Sequence, residues 1–102
     1  MTFFDIQEFG GQYRIVMYKE AFKYSFVTNI IKYLNITINQ FNKAIKKYNG
    51  FCVKWIRFDE EYSCMHFKDK KDAEKFIIDY LEPILVTNLI NKQEGIMWLS
   101  LR

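Results

Sequence analysis

The chain contains few of the residues that disordered segments and catalytic sites use. Its 102 residues include one Pro, four Gly, two Cys and one His. Such a low content of Pro and Gly argues against a disordered or low-complexity chain. The lone His has no acid–base group patterned around it, and no glycine-rich phosphate loop is present. We therefore expect no enzyme, no cofactor and no metal site.

Long apolar runs are also missing. No stretch approaches the roughly 18 apolar residues that a membrane span needs. The first residues, MTFFDIQEF, contain acids and no apolar core, which is unlike a signal peptide. Cys52 and Cys64 have neither metal-site nor CxxC spacing. They could face each other in adjacent strands, but two reduced thiols are expected over a disulfide. These features predict a soluble cytoplasmic protein without membrane contact.

The residues that are abundant indicate an efficient small core. Half of the chain is hydrophobic and 19% is aromatic, which fits one domain over residues 1–102. The net charge is only +3, but it is unevenly distributed. Residues 32–57 contain six basic residues and no acid, whereas acids are frequent over residues 59–74. The positive field therefore belongs to the middle of the chain.

The best-defined element in the sequence is a helix that begins after Thr37. Thr37 is a typical N-cap, and Gln40 three residues later completes a capping box. Ile36 and Phe41 flank the cap as a hydrophobic staple, and Asn49-Gly50 predicts a left-handed stop. A preceding helix over 26–34, with Ser25 as its cap, shows apolar residues at helical spacing. Residues 25–48 are thus predicted to form a helix–turn–helix.

Strand patterns flank this helix pair. Residues 13–19 predict a strand, and residues 20–24 predict one helical turn. Residues 51–58 and 62–67 predict a β-hairpin over 51–67, with Asp59-Glu60-Glu61 as its turn. Either of two registers is open, in which Trp55 faces Cys64 or Met65.

The C-terminal third predicts a long helix over 70–92, with Asp69 as its cap. Pro83 either kinks this helix or opens a second one. The helical stripe of apolar residues is expected to be core, and the helix is also a candidate dimer interface. Gly95 would end the helix, and residues 96–101 predict a short final strand.

The predicted second helix has an exposed face suited to DNA. Side chains on that face can reach base edges or phosphates, and no acid lies among them. Asn can read adenine, and Lys can donate to guanine or phosphate. Basic residues in the following hairpin are further candidates for phosphate contacts. The full set of DNA-contact candidates is Thr37, Ile38, Asn39, Asn42, Lys43, Lys46, Lys47, Lys54 and Arg57.

Residues 34–47, LNITINQFNKAIKK, resemble the recognition segment of the small Cro-type repressors of temperate phages. The similarity extends back to the strand at 13–19 and forward through the hairpin at 51–67. Asn35 stands where that family has a turn Gly, and Asn tolerates positive φ. The resemblance implies a dimeric protein that places its second helix in the major groove of double-stranded DNA. Carried over by position, Thr37, Ile38, Asn39, Asn42 and Lys43 would face the DNA.

The expected fold is therefore α+β: a strand, the helix–turn–helix, a Cro-like or winged hairpin and a long C-terminal helix. The expected function is transcription regulation by a phage or mobile-element protein that occupies an operator as a homodimer.

Two alternatives remain open. The fold could be a ferredoxin-like βαββαβ domain, with strands 12–19, 51–58, 62–67 and 96–101. Tyr62, Cys64 and His66 would then face outward on a central strand, as base-stacking residues of RNA-recognition domains do. The function could instead be that of a phage inhibitor of a host enzyme or defence complex, comparable to an anti-CRISPR protein. Such a non-enzymatic protein would bind a host protein and not DNA, and its aromatic content and acidic segment favour that role.

Overall fold

A computed structural model describes residues 3–90 as a mixed α+β fold. Three strands come first: β1 (Phe4–Phe9), β2 (Gln12–Lys19) and β3 (Phe22–Tyr24). Two helices follow, α1 (Val27–Leu34) and α2 (Ile38–Lys47). Strands β4 (Gly50–Arg57) and β5 (Glu60–Phe67) precede the last helix, α3 (Lys70–Phe76). Helix α3 runs directly into a π-helical segment (Ile77–Leu81), and residues 82–90 continue as helix.

The strands form one antiparallel sheet in the order β1-β2-β5-β4, and β3 pairs with the end of β2. The α+β class is therefore confirmed. The prediction of a helical turn over residues 20–24 was wrong. Glu20 has a φ of 58° and reverses the chain, so Phe22–Tyr24 pairs with β2 as a strand. Neither predicted fold included β1, which pairs with β2 through two positive-φ glycines, Gly10 and Gly11.

One face of the sheet carries the core, and we call it the inner face. Phe41 and Ile45 of α2 and Phe76 of α3 are buried in one cluster with Met65 and Phe67 of β5. Full burial of large apolar side chains contributes about 1.5–3 kcal/mol each. Because successive strand residues alternate between faces, Arg14, Cys64 and His66 lie on the opposite face. We call that the outer face.

The hairpin of β4 and β5 has a tighter turn than predicted. Arg57 pairs with Glu60, so the turn consists of Phe58 and Asp59, which both have positive φ. Both predicted registers were consequently wrong, because Trp55 pairs with Tyr62.

The same register separates the two cysteines. Cys52 pairs with Met65, and Cys64 pairs with Val53, so the two thiols lie on opposite faces of the hairpin. The expectation that they could face each other was therefore wrong. Both cysteines are free thiols, as expected, with Cys52 exposed and Cys64 buried.

The C-terminal helix neither stops nor restarts at Pro83. In a regular α-helix the proline ring would clash with the carbonyl of Asp79. A wider π-helical turn lies immediately before it, and the Glu82 amide donates to the Ile77 carbonyl, five residues back. The apolar stripe of this helix lies in the core, as predicted, with Phe76, Ile77 and Leu81 buried. Residues 91–102, including the predicted strand at 96–101 and Gly95, lie outside the described residues.

Candidate nucleic-acid interface

Helix α2 begins where the sequence predicts. The Thr37 hydroxyl accepts a hydrogen bond from the Gln40 amide at 3.1 Å, and the Gln40 side chain accepts one from the Thr37 amide at 2.8 Å. This capping box satisfies two of the free donors at the helix end. The amides of Ile38 and Asn39 have no acceptor within the helix and point toward its N-terminal end. That end can hold an anion.

The turn before α2 is held by its own backbone and by the C-terminal helix. Asn35 adopts the predicted left-handed conformation, with a φ of 55°, and its amide bonds back to α1. The Asn88 side chain donates to the Leu34 carbonyl at 2.8 Å, across 54 residues of sequence. This bond satisfies one of the last carbonyls of α1. The C-terminal helix is therefore tied by a hydrogen bond to the end of α1, just before the turn.

Of the predicted helix ends, the start of α1 was wrong and the end of α2 was confirmed. Ser25 does not cap α1, because Phe26 occupies the N-cap position without a side-chain cap. The Phe26 backbone is extended by a β-bridge to Cys64, so the helix starts one residue later, at Val27. After α2, Asn49 has a φ of 62° and provides the left-handed stop that the Asn49-Gly50 pair predicts. Gly50 is instead where the chain passes Ile45 and Phe67, and an added Cβ would lie 2.5 and 2.6 Å from them.

The exposed face of α2 is polar, basic and free of acids. Asn39, Asn42, Lys43 and Lys46 recur at i, i+3, i+4 and i+7, so they form one stripe on the helix. All of the predicted contact residues on α2 are exposed: Thr37, Ile38, Asn39, Asn42, Lys43, Lys46 and Lys47. Over residues 3–90, the lysines of this helix form no salt bridge. Their charges are therefore free to meet an anionic partner.

The two basic candidates in the hairpin do not join that stripe. Lys54 is in a salt bridge with Glu61, with Nζ and Oε1 3.1 Å apart. Both side chains are well exposed, so such a pair contributes about 0–1 kcal/mol and exchanges easily for another anion. Arg57 is three residues further along β4 and therefore points to the outer face. The structure thus places Lys54 and Arg57 on opposite faces of the hairpin.

The outer face holds a polar network that the sequence did not reveal. The Nε of Arg14 donates to Nε2 of His66 at 3.1 Å, and Nδ1 of His66 lies 2.8 Å from the Gln12 side-chain oxygen. This arrangement fits a neutral His66 that donates through Nδ1 and accepts through Nε2. Burial and the nearby Arg14 charge both lower the pKa of His66, which favours the neutral form.

Two aromatic rings enclose the Arg14 guanidinium. It lies 4.2 Å from the ring centre of Phe9 and 5.2 Å from that of Trp55, within the range of cation–π attraction. The sequence pattern carries no signal for this cluster, because it depends on the pairing of β1, β2, β4 and β5.

The RNA-recognition alternative is only partly matched on this face. Cys64 and His66 do lie on the outer face of a central strand, but they are 1% and 2% exposed. Covered side chains cannot stack on bases, so the stacking role given to these two residues was wrong.

Among residues 3–90, no three His, Cys, Asp or Glu side chains come together as a metal site. In the same part of the chain, no helix is long and apolar enough to cross a membrane. Comparisons of the chain with protein families, curated proteins and solved structures gave no match.

Proposed function

We propose that the protein binds double-stranded DNA through α2, without enzymatic activity. The observation that carries the proposal is the acid-free exposed stripe on a helix whose start, entry turn and packing are all fixed. A rigid helix that presents Asn and Lys side chains suits the major groove. Asn39, Asn42 and Lys43 would contact bases, and Lys46 and Lys47 would contact phosphates. Thr37 and Ile38 would approach the backbone at the helix N-terminus.

The hairpin has a secondary place in this proposal. Lys54 would exchange Glu61 for a flanking phosphate, whereas Arg57 lies on the outer face, away from α2, and has no part in this duplex contact. The protein would act as a transcription regulator of phage or mobile-element type by occupying an operator, as the Cro-type resemblance implies.

Two copies of the chain would read two half-sites about 34 Å apart. The inner stripe of the C-terminal helix is occupied by the core of its own chain. A homodimer interface on this helix would therefore use its outward apolar residues. Ile78, Val86, Leu89 and Ile90 are 42–62% exposed. Replacing Leu89 by Glu should then convert a dimer to a monomer in sedimentation experiments.

The decisive experiment uses a duplex selected from a random pool at low salt. Lys43→Ala should weaken binding to the selected duplex by about 1–3 kcal/mol, and affinity should fall steeply as salt rises. Lys75→Ala is the matched control, because Lys75 is an exposed lysine on α3. Equal losses of duplex affinity in both variants would mean that binding depends only on the net charge of the protein. Absence of any duplex binding at low salt would contradict the proposal.

One observation favours the second candidate, a phage inhibitor that binds a host protein. At the hairpin tip, Ile56 is 78% exposed and Phe58 is 89% exposed. Large apolar side chains exposed to water at one tip are typical of a protein-binding surface. A Phe58→Ser variant separates the candidates. It should leave duplex binding unchanged under the first, and it should abolish capture of a host protein under the second.

A further inference from the structure

The outer face of the sheet contains a groove that the DNA-binding proposal does not use. Its volume is about 400 Å³, which lies within the range of ligand pockets. Its walls come from five different parts of the fold, and three of the lining residues are aromatic. The lining residues are Phe9, Arg14, Ser25, Phe26, Trp55, Ile56, Arg57 and Cys64.

The charged side chains that line the groove are all positive. Two arginines line it and no acid does. Nη2 of Arg14 is buried without a hydrogen-bond partner. A buried guanidinium donor without an acceptor is costly, because it has lost water and gained nothing in return. Over residues 3–90, neither Arg14 nor Arg57 forms a salt bridge. The groove is therefore complementary to an anion.

The aromatic walls narrow the choice of anion. Phe9 is 46% exposed and Trp55 is 38% exposed, so both rings are accessible to a ligand. Phe26 is held in place by stacking on Tyr62, with ring centres 4.4 Å apart. Flat rings beside arginines suit a ligand that carries planar groups and phosphates together.

We propose that this groove binds single-stranded nucleic acid, with bases stacked on Phe9 and Trp55 and a phosphate held by Arg14 and Arg57. Bases in a duplex are already stacked on each other, so only unpaired bases can use these rings. An acidic peptide fits less well, because the hydrogen-bonding groups of a sheet lie at its edges and the groove lies on its face. The groove and the helices lie on opposite faces, so one duplex on α2 could not also fill the groove.

The groove contains its own fluorescent reporter. The chain has two Trp residues, Trp55 and Trp98, so a Trp98→Phe variant leaves Trp55 as the one indole signal. Titration of this variant with oligothymidylate should quench Trp55 in a saturable manner, and the affinity should fall as salt rises. In the same background, Phe9→Leu should weaken binding by about tenfold through the lost stacking.

Two arginine variants test the anion contact. Arg14→Gln should also lower the affinity for oligothymidylate by about tenfold. Circular dichroism would show whether this variant retains the fold. Arg57→Gln changes an exposed side chain, so it tests the same contact without risk to the core, and a loss of a few fold is expected. Lys43→Ala on α2 is the control and should leave quenching unchanged, whatever its effect on duplex binding.

Three results would overturn the proposal. The first is the absence of saturable quenching by oligothymidylate at low salt. The second is quenching by a glutamate-rich peptide in its place, which would make the groove a peptide site. The third is unchanged affinity in both arginine variants. Loss of duplex binding in Lys43→Ala with oligothymidylate quenching retained would support separate sites on the two faces.

Discussion

The α1–α2 helix pair and the outer face of the sheet are built from different kinds of information. The helix pair is defined by residues that are near each other in sequence, such as Thr37 with Gln40, and Asn35 at the turn. The outer face is assembled from residues as far apart as Phe9 and Trp55, whose ring centres lie 5.6 Å from each other. Side-chain pairing on that face follows strand register, whereas pairing in the helix pair follows local spacing. Substitutions can test how far the two regions are independent.

The largest expected effect is that of Phe41→Ala, which removes the anchor of α2. Phe41 is fully buried, and the centre of its ring lies 6.2 Å from that of Phe76. The free energy of unfolding should therefore fall by about 3–5 kcal/mol. Chemical denaturation in the Trp98→Phe background, followed by helical circular dichroism and by Trp55 fluorescence, would measure it. We expect both probes to report the same midpoint, because one core joins the two regions. Separate midpoints would show that the helix pair unfolds on its own.

A smaller effect is expected from Gly50→Ala, at the point where the regions meet. The added Cβ would press on Ile45 of α2 and on Phe67 of β5, and such overpacking costs about 1–3 kcal/mol. Gly11→Ala is a useful contrast, because no atom lies within 4 Å of its Cβ position and only its positive φ opposes the change. A Gly50→Ala protein as stable as the native one would mean that α2 can shift away from the sheet.

Thr37→Ala should weaken the helix pair alone. Loss of the N-cap typically costs about 1 kcal/mol, and thermal unfolding would record it as a lower midpoint. Thr37→Ser keeps the hydroxyl acceptor and is the matched control. In the Trp98→Phe background, the native-state fluorescence of Trp55 should be unchanged in both variants. An altered Trp55 spectrum in Thr37→Ala would contradict the local character of this signal.

His66→Gln should have the smallest effect, and it concerns the outer face alone. Since the pKa of His66 in the fold is lowered from 6.5, the unfolded chain binds a proton at a higher pH than the native one. The stabilisation is complete above pH 6.5 and is lost as the pH falls below it, with a slope of at most about 1.4 kcal/mol per pH unit. A glutamine side chain does not titrate, so in the variant the slope of the unfolding free energy just below pH 6.5 should flatten. An unchanged slope would mean that another group causes it.

The same contrast explains what the sequence could predict. Local signals in the sequence predict the capping box, the left-handed Asn35, both helices and the paired strands at 51–67. The structure contains each of these features within a few residues of its predicted position. The position of the hairpin turn was predicted wrongly, because a bulky aromatic residue such as Phe58 is uncommon at positive φ. Strand β3 has only three residues, and half of the six residues in β1 are polar, so neither has a strong local signal and both are held by pairing with β2. The Arg14–His66 network joins side chains 52 residues apart, so no local pattern could indicate it.

The π-helical turn before Pro83 affects more than the proline. It holds five residues in a wider turn, and such a turn typically equals one residue inserted into an α-helix. One extra residue offsets the remainder of the helix by about 100° around its axis. Residues 82–90 therefore present a different side to the rest of the protein than a regular helix would. Asn88 reaches the Leu34 carbonyl in this orientation, so the hydrogen bond between the C-terminal helix and the end of α1 depends on the π-helical turn before Pro83.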